Sequence, residues 1–304
     1  MKVKIFSLVV FIFLLSAFAW AANWWEEDQA AATTSTKQVQ SFPGSGGNAA
    51  KTLVNWEEGY IEAIGMATVD MSKMKNVVQA ELMANEGACT MAYAKLSEML
   101  NGVAVTANTT VITMLTEDQY AKSATQGIIQ GARRIEERVD KSGDAPKGIC
   151  RVGIVLRGAK GIQVPAFDYA IRNKTEGSIP VFQPVSPPSG AGNYTGVVID
   201  ARGYSLRPAM IPEIVTDDGK LVYGASLVDP EAARSNGLAA YGTSLNSSSI
   251  TNRVGSNPLV IKAAGLYGKQ DAGVKISTAD AVGALAANAT ESLLKLAKVA
   301  FLLK

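Results

Sequence analysis

The sequence predicts an α/β protein of the α+β kind, in which two small domains each pack helices on a mixed sheet after a cleaved signal peptide. Three observations lead to this prediction. The N-terminus has the pattern of a secretory signal, strand-like and helix-like segments alternate along the rest of the chain, and a proline-rich stretch at 158–193 separates two groups of them. The length of 304 residues suits two domains of ordinary size.

Residues 1–21 match the three parts of a signal peptide. Two lysines begin the chain, an almost wholly apolar run follows, and Ala19-Trp20-Ala21 provides the small residues of a cleavage site. We expect the cut after Ala21, and we expect residues 22–52, rich in Ala, Thr, Ser, Gly and Gln, to form a flexible leader. Lipidation at the new N-terminus needs a cysteine thiol, and no cysteine lies near the cut.

The first domain is predicted at 53–157. It begins with a strand at 60–65 and a helix from about residue 75 to 101, which Gly102 closes. Along this helix small or apolar residues recur every fourth position: Ala80, Ala84, Ala88, Ala92, Leu96 and Leu100. Small side chains on one ridge let a helix lie close against a sheet, which we favour over a seam with another helix.

The rest of the first domain is predicted to alternate between strand and helix. Residues 109–113 are rich in β-formers. A second helix is expected over about 117–140, because apolar residues recur on one face and charges cover the other. Residues 149–156 then predict a strand.

The second domain is predicted at 194–304, after the proline-rich linker. It opens with a strand at 194–200. Two strand-like runs then flank Asp217-Asp218-Gly219, which is a hairpin signal. Asp229-Pro230-Glu231 has the order N-cap, proline and first-turn acid, so it predicts the start of a short helix that stops at Asn236-Gly237.

The end of the chain is predicted from weaker signals. A polar loop is expected up to about residue 257, followed by strands at 258–266 and 274–276. Ser277 and Asp280 resemble a capping box that opens a helix to about residue 293. The segment 297–303 is compatible with a strand or with more helix, and we favour the strand.

The composition excludes several kinds of chemistry and of partner. The chain has no histidine, so Ser-His-Asp and Cys-His nucleophiles and most catalytic zinc sites are excluded. Carboxylate, lysine or cofactor chemistry stays open. The chain has 29 Lys and Arg against 27 Asp and Glu, and the signal contains two of the lysines, so the mature chain is balanced. A nucleic-acid binder needs a basic excess, and none is expected as a partner. We predict no catalytic residue, no cofactor and no metal site.

Two groups of residues remain as candidates. Cys89 and Cys150 are compatible with a disulfide in an oxidising compartment, and equally with two small buried apolar side chains. Asp200, Arg202 and Arg207 form the most distinctive run, where a strand ends in an acid and two arginines follow. An ion pair that fixes a turn and a contact to an anion or a partner are both compatible with this run.

Residues 55–157 resemble the LPP-twenty-type lipoprotein domain, which also occurs in flagellar assembly proteins of the outer membrane. The stretches that carry the resemblance are 59–67 (GYIEAIGMA), the Ala-rich helix and 96–103 (LSEMLNGV). The second domain resembles a segment found after this domain in exported, mostly uncharacterised proteins, on 194–203 (YTGVVIDARG) and 258–263 (PLVIKA) with Ser277 and Asp280-Ala281. The resemblance implies association with the outer membrane and, in some members, rings around the flagellar motor. This chain lacks the lipid-bearing cysteine of the family.

Together these features predict a non-enzymatic structural or assembly protein of the cell envelope, in the periplasm or at the outer membrane without a lipid anchor. Self-association or an envelope protein is the expected partner, and a flagellar connection follows only from the resemblance. A periplasmic binding module for a small anion or a glycan, using Arg202 and Arg207, is the alternative. An enzyme that uses carboxylates or lysine is a third hypothesis, which clustered buried carboxylates in a pocket would favour.

Overall fold

The structure is a computed structural model that describes residues 53–177, 179–185 and 192–304. The predicted signal peptide (1–21), the predicted leader (22–52) and part of the proline-rich segment lie outside the described residues. The described residues all belong to one compact unit.

Seven α-helices and twelve strands occur in the described part of the chain. The helices are α1 (Val77–Asn101), α2 (Val111–Glu117), α3 (Gln119–Gln130), α4 (Gln163–Arg172), α5 (Pro230–Asn236), α6 (Ser248–Val254) and α7 (Thr278–Glu291). The strands are β1 (Leu53–Asn55), β2 (Tyr60–Thr68), β3 (Arg133–Asp140), β4 (Lys147–Val155), β5 (Gly196–Asp200), β6 (Ile214–Thr216), β7 (Leu221–Tyr223), β8 (Ala240–Gly242), β9 (Pro258–Lys262), β10 (Gly265–Tyr267), β11 (Gly273–Ile276) and β12 (Val299–Leu302).

The strands form three four-stranded sheets. The first sheet, in the order β1-β2-β4-β3, is antiparallel throughout. The second, β10-β11-β6-β7, is mixed, because β11 and β6 run parallel between two antiparallel pairs. The third, β8-β12-β5-β9, is parallel throughout. The predicted α/β class, of the α+β kind, is confirmed.

Helix α1 lies directly on the first sheet, as the small-residue ridge predicts. Every residue of that ridge from Ala80 to Leu100 is buried. The sheet contributes glycines at the points of closest approach. A Cβ on Gly65 would lie 2.0 Å from the Ala88 carbonyl oxygen, and one on Gly148 would lie 2.1 Å from that of Ala84. Backbone therefore packs against backbone at these two crossings.

The single helix predicted over 117–140 is wrong. Helix α3 ends at Gln130, Gly131 caps it, and residues 133–140 form the edge strand β3. The charges that were expected to pair along a helix instead pair within the strand and across it, as between Arg151 Nη2 and Glu136 Oε2 at 3.1 Å. The spacing of the apolar residues suits a helix, but β4 offers an unpaired edge, and the hydrogen bonds with β4 favour a strand.

Two further segments differ from the sequence prediction. Residues 109–113, expected to be a strand, instead contain the N-cap Thr110 and the first residues of helix α2. Residues 163–172, expected to be extended chain because of the prolines, form helix α4, and Pro165 lies within its first turn. A proline is tolerated at that point because the first backbone N–H groups of a helix have no partner inside it.

Local signals in the second half predict the structure well. The Asp217-Asp218-Gly219 turn joins the antiparallel pair β6 and β7. Asp229 caps α5 through the N–H groups of residues 231 and 232. Ser277 Oγ accepts from the Asp280 N–H at 3.0 Å.

The predictions for two segments near the C-terminus have opposite outcomes. The segment that was predicted as a polar loop up to 257 contains β8 and α6, so that prediction is wrong. The terminal segment is a strand, β12, which lies between β8 and β5.

One hydrophobic core runs through both halves of the described chain. It joins residues such as Ile61 and Leu96 from the first sheet and α1 to Ile199 and Phe301 from the parallel sheet. Tyr241 stacks on Phe301 and meets the edge of the Trp56 ring, with both centroid distances at 5.4 Å. Among the described helices, none is both long and apolar enough to cross a membrane.

Candidate functional site

The two cysteines form a disulfide that links α1 to the first sheet. Cys89 on α1 and Cys150 on β4 are both buried, and their Cα atoms lie 5.0 Å apart. In the structure the pair is a cross-link and not two separate apolar thiols. It joins positions 61 residues apart in the chain, so it closes a large loop within the first half.

A carboxylate lies beside this disulfide. Glu137 on β3 places its Oε1 3.4 Å from the Cys89 Sγ. Within the described ranges, Cys89, Glu137 and Cys150 are the only three residues with ligand atoms spaced for a metal. Metals bind the thiolate form of cysteine, and the disulfide uses both sulfurs.

Asp200 and Arg202 form a close ion pair at the carboxyl edge of the parallel sheet. Asp200 is the last residue of β5, an inner strand of that sheet. Arg202 donates from Nε to Oδ1 at 2.8 Å and from Nη2 to Oδ2 at 2.6 Å. These hydrogen bonds hold the pKa of the Asp200 carboxyl below its usual value. The guanidinium is thereby engaged by its own neighbour in the chain.

Arg207 has a different role and connects two distant segments. Its Nη1 donates to Gln270 Oε1 at 3.0 Å, and its Nη2 donates to the Gly102 carbonyl oxygen at 3.0 Å. Gly102 caps the C-terminus of α1, where helix carbonyls lack partners and favour a positive charge. The structure therefore places Arg207 in a tertiary contact, and it gives Arg202 and Arg207 separate partners.

The sequence analysis missed a buried acid, Glu213, which directly precedes β6. Glu213 is 1 % exposed, and its Oε2 has no hydrogen-bond partner. Burial raises the pKa of this carboxyl to about 8, the nearby Glu176 adds to the rise, and a hydrogen bond with the Ala107 backbone opposes it. Glu213 is therefore largely protonated at neutral pH.

Glu176 is also buried, but its carboxylate is fully used. Its two oxygens accept from the backbone N–H groups of Ala225 and Ser226, and the Ser226 hydroxyl donates to Oε2 at 2.7 Å. It thus holds the 3₁₀ turn Ala225–Leu227 in place. Neither acid has the free, solvent-reaching carboxylate that a general base needs. The sequence shows that both residues are acids, but it does not show that they are buried, because a single glutamate has no surrounding pattern that reveals its burial.

The outer face of α1 is the other feature that the sequence analysis missed. Five large apolar side chains of α1 are substantially exposed: Val77 (55 %), Val78 (66 %), Leu82 (64 %), Met83 (49 %) and Met91 (43 %). The ridge from Ala80 to Leu100 on the same helix is buried, so α1 has large apolar side chains both in its packing ridge and at solvent-exposed positions. Large apolar residues outside the small-residue ridge of α1 are the sequence signal that could have predicted this surface, because a helix that packs on one sheet needs only one apolar stripe.

A groove continues this face toward the C-terminal half of α1. It has a volume of about 490 Å³ and opens to solvent between α1, the end of α3 and the start of β3. Its lining residues are Tyr93, Ala94, Ser97, Ile129, Gln130 and Arg134. The Tyr93 hydroxyl donates to the Ala132 carbonyl oxygen at 3.2 Å, which fixes the ring as one wall. We call these exposed apolar side chains of α1 and this groove together the α1 outer face.

Comparisons with known proteins reach the second half of the chain. Residues 196–304 match a protein-family model described as the second domain of Treponema pallidum Tp0624. This agrees with the predicted resemblance of the C-terminal part to a domain of uncharacterised proteins. A search among curated proteins found no match. No LPP-twenty-type family model matches, so the resemblance of residues 55–157 to that domain stays a prediction.

Proposed function

We propose that this protein is a non-enzymatic structural or assembly component of a bacterial-type cell envelope, which works by contact through the α1 outer face. The observation that carries the proposal is that α1 leaves five large apolar side chains exposed, Val77, Val78, Leu82, Met83 and Met91. Apolar side chains of this size stabilise a protein when another surface covers them, so their exposure favours a contact at α1.

The sequence supports the same proposal independently. The signal pattern at 1–21 is that of an exported chain, and the absence of histidine removes the commonest catalytic side chain. The LPP-twenty resemblance associates residues 55–157 with outer-membrane assemblies, including flagellar ones. Its place at the outer membrane would come from contact with a protein partner.

The proposal is tested by mass and location together. Light scattering on the gently extracted protein should give a defined assembly, and fractionation should find it with the outer membrane. The Leu82→Ser variant should lose both properties, whereas Leu296→Ser, at a leucine that is 45 % exposed away from this face, should keep them. A monomer that appears only in the free periplasmic fraction would sink the proposal.

The binding-module alternative rests on Arg202 and Arg207. Arg202 already pairs with Asp200, and Arg207 with Gln270 and the Gly102 carbonyl. An incoming anion would have to displace these contacts, and no observation on the described residues favours that exchange.

A further inference from the structure

The Cys89–Cys150 disulfide belongs to a cluster of three side chains of metal-binding type. Glu137 and Cys150 lie directly opposite each other where β3 pairs with β4, so their side chains leave the same face of the first sheet. Helix α1 covers that face and brings Cys89 to the pair. One ligand atom from each of the three residues lies within 4.8 Å of the other two.

The spacing of sulfur and carboxylate suits two ligands of one cation. Glu137 Oε1 lies 3.4 Å from Cys89 Sγ. Zinc binds sulfur at about 2.3 Å and carboxylate oxygen at about 2.0–2.2 Å, so a tetrahedral site sets these two ligands about 3.6 Å apart. In the disulfide the sulfur has no proton to donate to this oxygen. A cation between the two atoms would use both of them.

We propose that the reduced form of this protein binds one thiophilic divalent cation of the Zn²⁺ class through the Cys89 and Cys150 thiolates and the Glu137 carboxylate. A dithiol reductant gives the disulfide two electrons and two protons, and itself becomes a disulfide. The S–S bond of the protein breaks, the two thiols then release their protons to solvent, and the cation binds both thiolates. Three protein ligands leave the fourth tetrahedral position to a water molecule. This inference goes beyond the proposed function and does not depend on it.

The charges at the site balance when the cation is bound. Two thiolates and one carboxylate supply three negative charges, and the cation supplies two positive ones. Arg134 supplies the third, with its Nη1 2.6 Å from Glu137 Oε1. A carboxylate oxygen has two lone pairs, so Oε1 can accept from Arg134 and bind the cation together. Because Cys89 and Cys150 are buried, an unbalanced charge beside them would be costly.

The groove beside α1 gives access to the cluster. Tyr93 lies one turn beyond Cys89 on α1, and both Tyr93 and Arg134 line the groove. The Glu137 side chain is 36 % exposed, whereas both cysteines are buried. The carboxylate therefore forms the outer side of the site, where a cation and its water can enter.

Cobalt spectroscopy on the full chain tests the site. The folded protein is reduced with dithiothreitol, the reductant is removed without oxygen, and Co²⁺ is added. The reduced parent should show a thiolate-to-cobalt charge-transfer band and the strong visible bands of tetrahedral cobalt. These bands should saturate at one ion per chain and disappear when Zn²⁺ displaces the cobalt. The oxidised parent and the Cys89→Ala/Cys150→Ala variant should show neither band.

Two single variants show whether the carboxylate is a ligand. Glu137→Gln should weaken Co²⁺ binding by about tenfold or more, since the loss of even an outer partner of a metal weakens affinity by about 10–100-fold. Glu136→Gln is the matched control, because Glu136 is the neighbouring acid on β3 and pairs with Arg138 and Arg151 outside the cluster. This control should bind Co²⁺ like the parent.

The same samples show whether the fold is intact. Circular dichroism of the reduced, metal-free parent should match that of the oxidised protein. Zn²⁺ should raise the urea midpoint of the reduced parent more than that of reduced Glu137→Gln, because it binds the folded state. Cobalt bands in the reduced parent with a selective loss in Glu137→Gln support the proposal. A reduced parent without the bands, equal affinities of Glu137→Gln and Glu136→Gln, or a chain that unfolds on reduction would each overturn it.

Discussion

Gly65 on β2 lies directly beneath Ala88 on α1, so close that a methyl group on the glycine would meet the Ala88 carbonyl oxygen at 2.0 Å. The helix and the sheet can approach this closely only because both surfaces are small at the crossing. The ridge of alanines and the two strand glycines are therefore parts of the same packing device.

Substitution of Gly65 by alanine should destabilise the protein, because the atom that the new methyl group meets is backbone and has to move. We expect the free energy of unfolding to fall by about 1–3 kcal/mol, as for other overpacked sites. Urea unfolding monitored by circular dichroism measures it.

Gly283 provides the control for that measurement. It lies inside α7 with nothing within 4 Å of its added Cβ, so Gly283→Ala should be neutral or should stabilise by up to about 1 kcal/mol. A Gly65→Ala variant as stable as the parent would contradict the close packing of α1 on the sheet.

Removal of the disulfide should lower stability. The double variant Cys89→Ala/Cys150→Ala should lose roughly 2–5 kcal/mol of unfolding free energy, because the unfolded chain is released from a loop of 61 residues. Dithiothreitol should produce a similar loss in the parent protein and no further loss in the variant. Equal urea midpoints with and without the reductant in the parent would show that the cross-link does not form.

The buried acid Glu213 should make stability depend on pH. Its pKa is about 8 in the folded protein against 4.5 in the unfolded chain, so between these values the folded state keeps a proton that the unfolded state loses. Stability therefore falls as pH rises from about 5 to 8, by about 1.4 kcal/mol per pH unit from this group. Urea midpoints across this range measure the slope.

The Glu213→Gln variant should remove that slope and raise stability near pH 8, since the amide cannot ionise. Asp144→Asn, at an exposed acid, should leave the slope in place. If the parent and Glu213→Gln curves run parallel over this range, the glutamate is not buried in its neutral form.

The two arginines of the predicted site should differ in their effect on stability. Arg202→Ala removes a pair at a half-exposed side chain, so we expect a loss within about 1 kcal/mol. Arg207→Ala leaves the Gly102 carbonyl and Gln270 without their donor, and we expect a loss of about 1–3 kcal/mol. Thermal or urea unfolding ranks the two variants, and the reverse order would argue against the tertiary contact of Arg207.

Signals that act within a few residues were readable from the sequence. The cap at Asp229, the cap at Ser277 and the turn at 217–219 each combine a side chain with backbone groups two or three positions away. The alanine ridge of α1 also predicted a close helix–sheet contact, because its period depends only on helix geometry.

Segments that depend on distant partners were not readable in this way. The strand at 133–140 forms because β4 offers a free edge, although its apolar period suited a helix equally well. The burial of Glu213 depends on several segments that are far apart in the sequence and together cover its side chain. The same applies to the α1 outer face, since exposure is known only when every neighbour is in place.

The sequence by itself thus determined the α/β class, the Ala-rich helix and its local caps, because these follow from side-chain chemistry within one or two turns of chain. Only the tertiary structure decided that Cys89 meets Cys150, that Arg202 and Arg207 have separate partners, and that apolar side chains on α1 stay uncovered. The physical reason is that such contacts join positions far apart in the chain, and their free energy depends on the whole packed core and not on any local pattern.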